Sequence, residues 1–135
     1  MSGWKAKQPV PGDQIRVGRQ YYFHHGIYIG NGEAVHFCAE TGDGMTDPTS
    51  VKVRKTCMAQ FLLGGVLEVR EYTFAEKRQR RKPEEIVKTA LSRLGEGGYD
   101  ALKNNCEDFS NECAFGKRMP SQVDEFRKKI DEMMK

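Results

Sequence analysis

Four cysteines and three histidines are the side chains in this 135-residue sequence best suited to serve as nucleophile and base near neutral pH. Cys106 stands directly after Asn104-Asn105. Asparagine is a favoured N-cap, so a helix is predicted over 105–115 with Cys106 as its first residue and Gly116 closing it. Unpaired backbone N–H groups and the helix dipole favour an anion at that position. Both would lower a thiol pKa, and the same amides could hold the oxyanion of an acyl transfer. The competing reading of Cys106 is a small buried hydrophobe.

His24, His25 and His36 lie on two predicted strands joined by Gly30-Asn31-Gly32. Strand side chains alternate, so His24 and His25 face opposite sides, and pairing about the turn lets His24 and His36 share a face. A thiol, a base and a polar group that orients the base make a nucleophilic triad. A metal site from His24, His36 and Cys106 is the further alternative, but no carboxylate or second thiol is spaced to complete it. No cofactor or metal is therefore expected. The cysteine spacing contains no CxxC. Cys106 and Cys113, seven apart on one helix, are separated by about 10 Å of rise, too far for a disulfide.

The elements that must position these groups divide the chain in two. Gln14 to Val17 alternates as a half-buried strand. Residues 20–29 (QYYFHHGIYI) are aromatic and β-branched and read as a strand, with Glu33 to Phe37 returning after the turn. Residues 39–50 form a polar, turn-rich loop. Val51 to Val53 and Val66 to Tyr72 are further strands, and Ala59 to Leu63 reads as one helical turn. From Pro83 the period changes. Proline suits the first helical turn, Glu84 and Glu85 complement its dipole, and Ile86, Val87, Ala90, Leu91 and Leu94 make an apolar stripe that ends at Gly95. A last helix is predicted from Ser121, with Val123, Phe126, Ile130 and Met133 as its core-facing stripe.

Length and composition fit one soluble domain over 1–135, with a core at about 11–116 and the amphipathic helix at about 121–134. No apolar run approaches a bilayer-spanning length, and the N-terminal residues lack a signal-peptide h-region. The expected location is the cytoplasm, with peripheral membrane contact. Net charge is +3, from 22 basic and 19 acidic side chains. That excess is too small to argue for nucleic acid. The run Lys77 to Lys82 (KRQRRK) reads as a solvated loop, or as a weak patch for anionic lipid or RNA phosphates.

HHGIYIGNGEAVHF resembles the H-box of the lecithin–retinol acyltransferase family, and NCEDFSN resembles its NCEHF box. Their order is similar to that family's circularly permuted papain-like fold, within the NlpC-type thiol superfamily. The resemblance runs from about Pro11 to Gly116, and extends to the H-box/NC proteins of some picornaviruses. It implies an α+β fold with an antiparallel sheet of about four to six strands on about three helices. It implies Cys106 as acyl-accepting nucleophile, His24 as general base and His36 as the orienting group. Tyr22 matches a family tyrosine near the catalytic centre. Asp108 departs from the pattern, standing where the cellular enzymes usually have histidine.

The activity so implied is phospholipase A or acyltransferase chemistry on a phospholipid, through a Cys106 thioester. An NlpC-type amidase acting on peptide would use the same triad. A non-catalytic module binding RNA or a host protein would keep the motif without the chemistry.

Overall fold

A computed structural model describes residues 3–40, 42–43, 48–100, 105–120 and 122–135. Leu102, Asn104, Ser121, the side chain of Val123 and part of the 39–50 loop lie outside the described residues. Among the described residues six antiparallel strands form one sheet: β1 (Gly3–Lys5), β2 (Gln14–Gly18), β3 (Phe23–Gly30), β4 (Glu33–Cys38), β5 (Lys52–Cys57) and β6 (Leu67–Glu71), in the order β1-β6-β2-β3-β4-β5. Five α-helices are found among the described residues: α1 (Met58–Leu62), α2 (Phe74–Gln79), α3 (Pro83–Ser92), α4 (Cys106–Phe115) and α5 (Gln122–Met133). The fold is α+β, as expected, and is consistent with the permuted papain-like arrangement.

Strand alternation divides the core between the two faces of the sheet. On one face Ile27, Val35, Phe37 and Val53 pack against Ile86 and Ala90 of α3 and Phe109, Cys113 and Ala114 of α4. On the other face Ile15, Val17, Ala34 and Val69 pack around Phe61 of α1. The hairpin β3–β4 turns through Gly30, Asn31 and Gly32 with φ of 97°, 54° and 72°. All three lie in the left-handed region that glycine and asparagine tolerate. Its register sets Ile27 against Val35 and Tyr28 against Ala34.

Several expectations are corrected. The strand placed at 51–53 runs over Lys52–Cys57, because all of β4 pairs with it, from Glu33 opposite Cys57 to Cys38 opposite Lys52. β1 was not expected; it is an edge strand that owes its order to pairing with β6. The run Lys77 to Lys82 is solvated in part but is not a loop throughout: Lys77, Arg78, Gln79 and Lys82 are exposed, while Arg80 and Arg81 are half-buried. Its first half lies in α2, which starts at a capping box in which Thr73 and Glu76 satisfy each other's backbone N–H groups. Arg80 donates to the Gly12 carbonyl and lies over the Tyr72 ring. Arg81 donates to Thr89 from its side chain and to the Ala114 carbonyl from its backbone. These two arginines tie the turn before β2 and the two core helices together. The stripe on α5 is not core: Phe126 is 65% exposed and Met133 84%. The sheet faces it would cover already carry α1 on one side and α3 with α4 on the other.

Candidate active site

α4 begins as the sequence predicts. The Asn105 side chain accepts from the Asp108 N–H at 2.9 Å, and the Asp108 carboxylate accepts from the Asn105 N–H at 3.1 Å. Asp108 thus supplies the reciprocal half of a capping box, which satisfies two N–H groups at the helix start. Its fully buried carboxylate also lies 3.4 Å from Arg118. Burial raises its pKa, against the pull of the Asn105 backbone and Arg118.

The cap places Cys106 against β3. Its Sγ lies 4.0 Å from the Phe23 carbonyl, and the backbone N–H groups of His25 and Glu107 also reach the sulfur. The nucleophile therefore abuts the backbone on either side of His24. The expectation of an acidified thiol is overturned. Burial pushes the Cys106 thiol up to about 12, and Glu107 and Asp43 add like charge, while the two backbone N–H groups only partly oppose this. Desolvation of a fully enclosed sulfur outweighs one helix terminus.

His24 and His36 share a face, as alternation predicts, and their rings meet: His24 Nε2 lies 2.8 Å from His36 Nδ1. Gly26 leaves room for the Phe61 ring, which packs against both histidines. A Cβ at Gly26 would come within 2.8 Å of the Phe61 ring and 3.1 Å of the His36 Cβ. His36 Nε2 is 2.8 Å from the Thr56 hydroxyl, which itself donates to the Cys57 carbonyl at 3.2 Å. With the Thr56 hydroxyl proton on the Cys57 carbonyl, the Thr56 oxygen accepts from His36 Nε2–H; in that tautomer His36 Nδ1 accepts from His24 Nε2–H and His24 Nδ1 is bare. Burial lowers His24 to about 3, helped by His36, and lowers His36 to about 4. Both rings are neutral at pH 7. His25 points to the other face, edge-on to Trp4.

No hydrogen bond joins Cys106 to His24. The bare Nδ1 of His24 instead faces Asp43, whose Oδ2 is 3.7 Å away. Asp43 also accepts from the Tyr22 hydroxyl at 2.5 Å and from Arg19 Nε at 2.8 Å. Burial alone would raise the Asp43 carboxyl, but Arg19, His24 and Tyr22 together hold it below its usual value. Burial and the Asp43 carboxylate both raise the Tyr22 hydroxyl. Tyr22 thus reaches the site through Asp43. Asp43, Thr56 and Arg19 were not singled out in the sequence; Asp43 lies in a polar loop with no periodicity, and Thr56 reads as one more alternating strand residue. Among the described residues no group of three His, Cys, Asp or Glu side chains has the arrangement to hold a metal ion. All four cysteines are free thiols.

An antiparallel sheet with paired histidines on β3 and β4, and a cysteine opening the helix that packs on it, defines a thiol-bearing member of the permuted papain-like class. The family model described as lecithin retinol acyltransferase matches residues 7–119, and the chain belongs to that family. It is 25% identical over 136 residues to lecithin retinol acyltransferase from Mus musculus, covering 87% of this chain and 59% of that protein. It is 30% identical over 124 residues to phospholipase A and acyltransferase 3 from Homo sapiens, covering 86% of this chain and 76% of that protein. Protein LEAD-SENSITIVE 1 from Arabidopsis thaliana is 34% identical over 145 residues, covering 76% of this chain and 56% of that protein. The chain spans about three-fifths of the length of the mouse lecithin retinol acyltransferase it matches. No described helix is long and apolar enough to cross a membrane. The comparisons lend no support to an RNA or host-protein partner.

Proposed function

We propose that the protein transfers or hydrolyses an acyl chain of a phospholipid through a thioester on Cys106. The observation that carries this reading is the hydrogen-bonded chain Thr56–His36–His24, which ends on the residue between Phe23 and His25, whose backbone groups the Cys106 sulfur touches. A base must present its unprotonated nitrogen to the nucleophile, and an orienting partner is what fixes that choice. The names of the relatives, lecithin retinol acyltransferase and phospholipase A and acyltransferase, supply the substrate class.

In the reaction the thiol proton passes to His24 Nδ1 as sulfur attacks the ester carbonyl. The tetrahedral oxyanion is held by the amides that open α4. The imidazolium then returns its proton to the leaving lysophospholipid oxygen. In the second half His24 activates water or another acceptor, which attacks the thioester and restores the thiol. His36, anchored on Thr56, holds the His24 ring throughout. In the resting site the carboxylate of Asp43 lies 3.7 Å from His24 Nδ1, a position where an anion favours the imidazolium.

The test is the intact mass of the protein after incubation with a short-chain phosphatidylcholine, beside Cys106→Ser and His24→Ala. The expected result is an increase of one acyl chain, absent from both variants. Well-folded protein with no adduct and no released fatty acid would overturn the reading.

A further inference from the structure

The nucleophile and base are closed to a lipid substrate as they stand. Cys106 is 7% exposed and His24 3%. The cover over His24 is itself unusual. Arg19 presents a fork to the Asp43 carboxylate, Nε to Oδ2 at 2.8 Å and Nη2 to Oδ1 at 3.2 Å. The guanidinium is pinned from behind, with Nη1 donating to the Leu62 carbonyl at 3.1 Å and Nη2 to the Phe61 carbonyl at 2.7 Å. Tyr22 adds a hydroxyl donor to the same carboxylate oxygen. Three donors on ordered backbone thus converge on one anion. That anion comes from the loop after β4, while the donors come from the β2–β3 turn braced on α1.

We infer that Arg19 and Tyr22 form a phosphate subsite, and that the Asp43 carboxylate fills it until the phosphodiester of the substrate takes its place. The inference deepens the phospholipid reading and rests on it. A guanidinium fork that accepts a carboxylate in two parallel hydrogen bonds accepts two phosphate oxygens in the same way. The exchange replaces one negative charge by another, so the half-buried Arg19 guanidinium is never left without a counter-ion, which would be the costly step. It also changes the neighbour of His24, since Asp43 touches Arg19 and Tyr22 and lies against His24. The His24 imidazolium would then find the substrate's own phosphate where Asp43 had been.

The experiment measures binding rather than turnover, in Cys106→Ala protein, with glycerophosphocholine as probe and the Arg19 side-chain resonances as readout. An internal competitor lowers apparent affinity by the fraction of time the site is open, so Asp43→Ala should bind the probe about tenfold tighter. Asp43→Asn, which keeps the shape and removes the charge, should shift it the same way. Arg19→Gln added to Asp43→Ala should abolish the gain. Inorganic phosphate is the second arm. Binding weaker than glycerophosphocholine assigns the subsite to a lipid phosphodiester, whereas tighter binding overturns the lipid assignment in favour of a free phosphate. Equal affinity of the Asp43 variants and their parent, or a gain that survives Arg19→Gln, overturns the inference while thioester formation from phosphatidylcholine still stands. Probe binding that depends on Arg19 with no thioester formed would uphold the subsite and overturn the acyl-transfer reading instead.

Discussion

Cys106 should be a slow nucleophile in the resting protein. Burial moves its thiol from an ordinary 9.0 to about 12, and His24, at about 3, is too weak a base to draw the proton off beforehand. Three pKa units correspond to about a thousandfold less thiolate at neutral pH, or ~4 kcal/mol. At pH 8 roughly one molecule in ten thousand carries the anion. The assay is alkylation by iodoacetamide between pH 6 and 10, followed by peptide mass mapping. Exposed Cys57 serves as the internal fast thiol, and Cys38 and Cys113, buried and raised like Cys106, as slow ones. The rate at Cys106 should rise about tenfold per pH unit with no plateau. A plateau below pH 8, or modification at Cys106 as fast as at Cys57, would refute the reasoning and indicate a preformed thiolate–imidazolium pair.

Acid should unfold the protein through its three buried histidines. His24 and His25 are lowered to about 3 and His36 to about 4, mainly by burial. Below pH 6.5 the unfolded chain binds protons that the folded chain refuses, so stability falls with pH until the folded values are reached. At pH 5 each histidine accounts for about 2 kcal/mol, a total comparable with a domain's whole stability. Urea midpoints should drop sharply from pH 7 to 5, and His25→Phe should remove about a third of the drop; a flat profile to pH 4.5 would contradict this. Thr56→Val should lower kcat by about 10- to 100-fold with KM little changed, because His36 Nε2–H loses its acceptor and the tautomer chain its anchor. Thr56→Ser should restore most of the rate, and equal rates for the valine and serine variants would remove Thr56 from the chain.

The features legible in the amino-acid sequence are local in origin. An asparagine cap and a closing glycine bound α4 and put Cys106 at its first residue, because both signals act within one helical turn. The Gly30-Asn31-Gly32 turn and the two-residue period of a strand put His24 and His36 on one face and His25 on the other. The box of Thr73 and Glu76 is equally local, although the basic run that follows it masks the short helix it starts. Long-range packing set what depends on neighbours distant in the chain. β1 is a strand only because β6 offers it an edge. Arg80 and Arg81 are ties between elements because their acceptors fold up beside them. The thiol is raised rather than lowered because a core closes over it, and desolvation is a property of the surroundings that spacing along a helix does not carry. Asp43 reaches Arg19, Tyr22 and His24 across more than a dozen residues of chain, from a loop whose sequence holds only turn signals. Periodicity and caps record where a chain bends and which way a side chain points; which charges then meet is settled by packing alone.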